Sequence, residues 1–600
     1  MPTPSARSPL LPPTPPPNLP ARRLLAPVAA MAAALLLGLA AALTVWALSP
    51  PADTGRPSWP SADVGAILDH DRRVYDPAMV GTYLHITDFH LDPLYAAGSH
   101  VKRQCHPRGR AAKRKHRAGY YGAPGSRCDS PAPLVDAALG FLDGPFADTL
   151  DFVVWTGDNT RHDKDAKRPL THDELMAIHR DVFNRMRSVF INRAGNNNNN
   201  TAITSTSTSN SSNSNSNSND TQIRRGVPVI FSLGNNDMVP SNHLAPPETS
   251  ARTRRLFADL LDLMGADFVP PDQRQTFLDG GYYAHPLDQH KVTVVSLNTL
   301  FFSVKNAAVG GCAARDSPGR KQLAWLEGQL ERAQAAGHSV VIIGHYIPNS
   351  ANYRRSCLRQ YVRTVLPFAD IVRAQAFGHS NVDIWSFVGE HTLDDTHAPP
   401  PLLQPHQLGP AVGPGYFDEV MDSNERIVEH RLPADRLMVT HISPSIIPRY
   451  QPGFRLVRYR RNSSSSSRSS SRSSSRSSSR SSSSSSSPDT NSMQPAGADS
   501  DPGDDPGLTE DQRRRARHYR RLPPGTTLDY DVYWVDLGRV NRGGPLPRRP
   551  DFHRLYRASE EFGLDDLTVE SYVEWAKLLL ADRSAREKYR YYAYLTVGDD

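Results

Sequence analysis

Apolar residues in the middle of the chain fall into short, β-rich runs, and each run stops on a polar cluster. YLHI (83–86) leads into Asp88, Phe89 and His90, and FVVW (152–155) into Gly157, Asp158 and Asn159. VPVIFSL (227–233) leads into Asn235, Asn236 and Asp237, SVVII (339–343) into Gly344 and His345, and the run ending at Phe377 into His379, Asn381 and Asp383. Alternation along an extended strand sends residues i and i+2 to one face, so Asp88 and His90 are expected to point together off the end of the first strand. Helical stretches lie between the runs at THDELMAIHRDVFNRMRSVF (171–190) and GRKQLAWLEGQLERAQAAG (319–337), the second opening near a Pro-Gly turn and closing on Gly337. Strands that alternate with helices and carry polar groups at their C-terminal ends predict an α/β fold with its site above the sheet.

Other parts of the chain lack this pattern. The Asn/Ser/Thr-rich stretch 195–221 and the Ser/Arg-rich stretch 462–522 offer few apolar side chains to offset ordering entropy and are expected to be disordered insertions; the Pro-rich segment 1–23 reads as a tail. Residues 24–48 form an uncharged apolar run, long enough to cross a bilayer, which takes about 20 residues. Arg22 and Arg23 precede it without a basic pair just after it, so the positive-inside rule predicts type II topology, with a signal anchor and the bulk of the chain on the non-cytoplasmic side. The catalytic domain is expected over 80–390, followed by a C-terminal region over 391–461 and 523–600.

The polar clusters supply carboxylate, amide and imidazole donors and no thiolate. That set suits a pair of Mn, Mg, Co, Zn or Fe ions better than a structural zinc. The four cysteines fall into two sequence-local pairs, Cys105 with Cys128 and Cys312 with Cys357, as expected if each pair closes one loop in an oxidising compartment, although four cysteines allow other pairings. Glycosylation sequons at Asn199, Asn210, Asn219 and Asn462 lie in or at the edge of the low-complexity stretches. A formal net charge of +7 decides nothing by itself. Two local concentrations matter more: the basic run 100–122, with Lys102, Arg103, Lys113, Arg114 and Lys115, and the group Arg354, Arg355 and Arg359 beside Cys357, both candidates to bind a polyanion. His441 follows a strand-like run and is given no role.

The ordered series D-x-H, G-D-N, G-N-N-D, G-H and G-H-x-N resembles the calcineurin-like metallophosphoesterases, whose pattern runs D-x-H, G-D, G-N-H-[D/E], G-H, G-H-x-H. The stretches GYYGAPGSRCDSP, SLGNNDMVPSN, FGHSNVDIW and ISPSIIPRYQPGFRLVRY narrow the likeness to the fungal vacuolar endopolyphosphatases, and LDDLTVESYVEWAKLLL resembles their C-terminal helix region. The resemblance implies a β-sandwich flanked by helices and a dinuclear metal site. One ion would be held by Asp88, His90 and Asp158 and the second by Asp158, Asn235, His345 and His379. Asn381 stands where the family has its last histidine, and Asn236 stands for the histidine of G-N-H. The resemblance further implies hydrolysis of internal phosphoanhydride bonds in inorganic polyphosphate by a vacuolar membrane protein with a lumenal catalytic domain. Asp158, Asn235 and Asn236 would lie at the reacting phosphate. A polyphosphate leaving group with a pKa of about 6 departs without a proton donor, which makes Asn236 tolerable. The alternatives are an acid-sphingomyelinase-like phosphodiesterase, against which both asparagines count, and a non-catalytic, membrane-anchored polyanion-binding protein. No nucleic-acid partner is expected, and the oligomeric state stays open.

Overall fold

The expected runs form strands β1 (Val80–Ile86), β2 (Phe152–Trp155), β3 (Val229–Phe231), β4 (Tyr283–Leu287), β5 (Val292–Ser296), β6 (Ser339–Ile343) and β7 (Val372–Phe377). They are followed by β8 (Ile384–Gly389), β9 (Leu437–Ile442), β10 (Gly453–Arg460), β11 (Thr527–Trp534) and β12 (His553–Arg557). This computed structural model describes residues 75, 79–107, 113, 116–192, 226–393, 415–462, 509–542 and 549–595, all within the unit Ser61–Asp600. The apolar segment 24–48, the tail 1–23 and the insertion 195–221 lie outside the described residues, as do Arg114, Lys115, Asn199, Asn210 and Asn219. Among the described residues no helix is long and apolar enough to cross a membrane.

The strands make two six-stranded sheets, ordered β12-β11-β10-β1-β2-β3 and β4-β5-β6-β7-β9-β8. β1, β2 and β3 run parallel, as do β5, β6, β7 and β9, while β10, β11, β12, β4 and β8 join antiparallel. A parallel centre is buried on both faces, which accounts for the unbroken burial of VVII and FVVW. Residues of both sheets share one hydrophobic cluster, from Leu84 and Val153 to Ile342 and Trp385.

The longer helices are α1 (Ala132–Leu142), α2 (His172–Met186), α3 (Ala251–Phe268), α4 (Pro318–Ala335), α5 (Arg355–Val365), α6 (Gly415–Glu429), α7 (Glu510–Tyr519), α8 (Val569–Ala581) and α9 (Arg583–Tyr594). The two helical stretches read from the sequence are α2 and α4. Thr171 caps α2 by accepting from the Glu174 amide at 3.2 Å, and Ser317 caps α4, whose first residue is Pro318. Both cysteine pairs are disulfides, Cys105–Cys128 and Cys312–Cys357.

The C-terminal segments enter both sheets. β9 lies between β7 and β8, and β10 lies against β1, so the boundary expected at 390 falls between the paired strands β8 and β9. Residues 463–508 of the insertion expected over 462–522 lie outside the described residues, and the expectation of disorder does not hold for its last part. α7 forms there although its sequence, EDQRRRARHY, is almost wholly polar, because Tyr519 is buried facing Tyr75 while Arg514 and His518 pair with Asp565 and Asp566 at 2.7 and 2.6 Å. His441, left without a role above, is a half-buried packing residue: its Nε2 meets the Tyr572 hydroxyl at 2.6 Å, and its surroundings, aided by the Arg455 charge, push its pKa down to about 3.

Candidate metal centre

Each candidate ligand follows the C-terminal end of a parallel strand, so parallel pairing brings all of them to one edge: Asp88 and His90 after β1, Asp158 after β2, Asn235 after β3, His345 after β6 and His379 after β7. The expected strand alternation is not what converges Asp88 and His90. β1 ends at Ile86, and both residues are left-handed, with φ of 51° and 42°. Asp158 (58°), His379 (70°) and Asn381 (58°) share that conformation. Left-handed backbone at a non-glycine residue costs about 1 kcal/mol or more and persists where the surroundings over-determine it, as at binding sites. Glycines let the loops close: Gly157 has φ +89°, and a Cβ there would sit 2.5 Å from the Gly234 amide nitrogen.

Asp158 is the centre of the cluster. Its Oδ2 lies 3.3 Å from His90 Nε2 and 3.3 Å from His345 Nε2, and His90 Nε2 is 3.4 Å from Asp88 Oδ1. Donor atoms of Asp88, His90 and Asp158 lie within 4.8 Å of one another, as do those of Asp158, His345 and His379. The tautomers are set from outside: His90 Nδ1 is bonded to the Thr160 carbonyl at 3.0 Å and His345 Nδ1 to the Thr156 carbonyl at 2.8 Å, which turns each Nε2 lone pair inward. Asn235 Oδ1 reaches His345 Nε2 at 2.9 Å. Asp88 Oδ2 accepts from Thr87 Oγ1 and the His379 amide, whereas Oδ1 is buried without a hydrogen-bond partner. Buried carboxylate and amide oxygens and inward-facing imidazole nitrogens suit divalent cations once the imidazoles give up their protons, and the donor set fits two.

The remaining sequence candidates fall around this cluster. Asn381 donates through Nδ2 to the His379 carbonyl at 3.1 Å, and its Oδ1 is buried without a hydrogen-bond partner. Asn236 braces Asp158: its backbone amide donates to Oδ1 at 2.7 Å, its Nδ2 donates to Oδ2 at 2.8 Å, and its Oδ1 accepts from Ser241. Asp237, read from the sequence only as part of a polar cluster, accepts from the amides of Asp158, Asn159 and Gly234 at 2.9, 2.7 and 2.8 Å and so fixes both loops. Lys102, Arg103 and Lys113 are exposed on the disulfide-closed loop, Arg355 is exposed at the start of α5, and Arg354 donates to the Asn306 carbonyl at 3.0 Å.

Several residues at the site were not legible beforehand. His162 stacks on His90 with ring centroids 4.2 Å apart and is held by Asp129 at 2.7 Å; the unread TRHD after GDN was its only signal. Lys305 lies over the Tyr346 ring at 5.9 Å, and that ring lies 4.2 Å from the His379 ring. Lys164, close enough to feel the charges of Asp129 and Asp158, stands with Arg127 and Arg449 at the other side.

Electrostatics follow from this crowding. Burial alone would depress His90 and His345, but the Asp158 charge outweighs it, holding His90 well above the usual imidazole value and raising His345 to about 9. Burial, with Lys305 nearby, holds His379 well below that value. Two imidazoles of the cation-free protein therefore carry protons at neutral pH, and a cation must displace them. Affinity for a divalent cation is expected to rise with pH up to about 9, with protons released on binding. Calorimetry at pH 7 in two buffers of different ionisation enthalpy counts those protons, and a count of zero would contradict the assignment. By the same sign, the raised pKa values stabilise the cation-free fold most below about pH 6.5, and that contribution fades as pH climbs through about 9.

No protein-family model matches the chain. Comparison with curated proteins decides what it resembles. The chain is similar to fungal endopolyphosphatases. It is 28% identical over 435 residues to the Yarrowia lipolytica endopolyphosphatase, covering 63% of this chain and 55% of that one. With the Saccharomyces cerevisiae endopolyphosphatase it shares 31% over 389 residues (64% and 52%), and with that of Schizosaccharomyces pombe 30% over 400 residues (64% and 61%). The chain thus spans between half and two thirds of the length of these relatives. Among solved structures, a dimetal phosphatase from Danio rerio aligns with a TM-score of 0.30 and 13% identity, over 64% of this chain and 96% of that one, a likeness that adds nothing to the geometry.

Proposed function

We propose that the chain is a metal-dependent hydrolase of internal phosphoanhydride bonds in inorganic polyphosphate, built on the sandwich of the calcineurin-like metallophosphoesterases. The observation that carries the proposal is Asp158 Oδ2, equidistant at 3.3 Å from two imidazole nitrogens whose opposite ring nitrogens are tied to backbone carbonyls. The endopolyphosphatase relatives supply the substrate. Asp88, His90 and Asp158 would hold one cation, and Asp158, Asn235, His345 and His379 the other, with Asn381 Oδ1 beside them. When bound, two such cations offset phosphate charge and lower the pKa of water. The chain's own residues do the rest. Asp158, clamped by Asn236, fixes the spacing of the two half-sites, and the backbone bonds to His90 and His345 hold their rings in register. The amide of Asn236 donates to Asp158 and accepts from Ser241, and a carboxamide is too weak an acid to protonate a leaving group, which suits a phosphoanhydride better than an alkyl ester.

Residues 24–48 would anchor the protein in the vacuolar membrane as a single-pass type II protein with the site in the lumen; the two disulfides favour an oxidising compartment. Glycans at Asn199, Asn210, Asn219 and Asn462 belong to the same proposal, and Asn462 is exposed just beyond β10. Full-length protein incubated with long-chain polyphosphate and each of Mn, Mg, Co, Zn and Fe is expected to give intermediate-length fragments on gels at early times. Release of single phosphates from chain ends with no intermediate lengths would refute endo-cleavage, and no hydrolysis with any metal would refute the activity.

A further inference from the structure

Cations stand at both ends of the ligand cluster. At the His345–His379 end, Lys305 lies on a loop just beyond Phe301, its ammonium over Tyr346, the residue that follows His345 and packs on His379. At the Asp88–His90 end, Lys164 follows two residues after His162, which stacks on His90. Arg127 and Arg449 share that end: Arg449 Nη1 donates to the Ser126 carbonyl at 3.0 Å, and the same turn is tied to the cluster by the Ile447 amide, which donates to the Asp88 carbonyl at 2.8 Å. Lys164, Arg127 and Lys305 are solvent-accessible, so their charges face whatever enters. Lys164 and Lys305 are also surrounded by enough protein for burial to pull both ammonium groups below the usual lysine value. None of the four belongs to the basic runs that the sequence put forward for anion binding, apart from the neighbourhood of Arg127 to Cys128.

We propose that Lys164, with Arg127 and Arg449, and Lys305 grip phosphate groups of one linear polyanion on opposite sides of the bond that is cut. The proposal rests on the polyphosphate reading above and says how an internal bond is selected. A site with cationic holds at one end only would favour a chain terminus, since nothing would draw further phosphates past the metals. With holds at both ends, every internal linkage can be centred on Asp158 while phosphates extend both ways, and chain ends, which fill one hold, bind less well. Lysine suits this use because its ammonium is a compact charge on a flexible stem that can follow a chain without fixed register.

The test uses the full-length protein loaded with its preferred divalent cation and compares wild type with Lys164→Gln, Lys305→Gln and the corresponding Lys→Arg variants. Loss of one charge-assisted hold should raise KM for long-chain polyphosphate about tenfold, with kcat within about threefold. Each Gln variant should also flatten the dependence of KM on salt and shift early products from mid-chain fragments towards short ones cut near the ends, and each Arg variant should restore most of the wild-type behaviour. Unchanged KM and product lengths in both Gln variants, with wild type active, would overturn the two-sided grip and leave the polyphosphate reading standing; an effect confined to one lysine would overturn it equally. Wild type inactive on polyphosphate with every cation would overturn both.

Discussion

Asp158→Asn is expected to reduce polyphosphate hydrolysis by about a thousandfold or more and to lower the bound divalent metal, with the fold retained. The substitution keeps shape and volume but removes the charge that both His90 Nε2 and His345 Nε2 face at 3.3 Å. It also converts Oδ2, which accepts from Asn236 Nδ2 at 2.8 Å, into a group that either donates towards Asn236 or turns away from it. Two effects should follow together. The half-sites lose their shared ligand, and the imidazole pKa values fall back, since Asp158 is what raises them against burial. Metal content by elemental analysis, far-UV circular dichroism and the turnover rate on long-chain polyphosphate measure the three parts. A variant that keeps its metal and wild-type turnover would remove Asp158 from the centre of the site.

Asp383→Ala is expected to cost about 3–5 kcal/mol of stability, because it leaves a buried guanidinium without its counter-charge. Arg455 Nε donates to Asp383 Oδ1 at 2.5 Å, its guanidinium lies 4.4 Å over the Tyr530 ring, and Asp383 Oδ2 accepts from the Tyr556 hydroxyl at 2.5 Å. Arg455 and Asp383 are 1% and 0% exposed, so water cannot substitute for the lost partner. The double variant Asp383→Ala/Arg455→Leu should recover a large part of the loss, since removing both charges costs less than stranding one. Urea midpoints of the single and double variants decide this, and a single variant within about 1 kcal/mol of wild type would show that the pair is not the tie described. The backbone tie from the Asp383 amide to the Ala593 carbonyl at 2.8 Å, which pins the loop carrying His379 and Asn381 against the end of α9, survives the substitution, so the loss is expected in stability first.

The strand ends were legible in the sequence because an apolar run followed by Gly and a ligand-type side chain is local, and parallel pairing does the rest. The left-handed turns at Asp88 and His90 were not, since nothing in D-F-H distinguishes a strand end from a turn beyond it. Lys305, Lys164 and Asp129 were hidden for another reason: each lies in an ordinary loop and meets the site only through tertiary contacts. β10 shows the limit of periodicity most directly. GFRLVRYR carries arginine on both faces, Arg455 on one and Arg458 and Arg460 on the other, as an exposed strand would, yet all of it is buried. Its arginines are matched from elsewhere, Arg455 by Asp383 and Arg458 by Asp531, the latter also held by Arg557 at 2.7 Å. A pattern rule cannot see partners that lie some 70 residues away or more in sequence.

The place of β10 also sets an order of events during synthesis. β1 leaves the ribosome early and finds β2 soon after, but its other edge is paired by residues 453–460. At elongation rates of about 5–20 residues per second, that edge stays open for roughly twenty seconds to over a minute. β7 waits far less for its second neighbour, β9, which follows it within about 3–12 seconds at the same rates. An unpaired edge of this kind is a template for intermolecular pairing while it lasts. The nascent chain therefore passes through a period in which every strand that leads into a candidate ligand has been made, yet both sheets still present raw edges, and closing them falls to residues that supply none of those candidates.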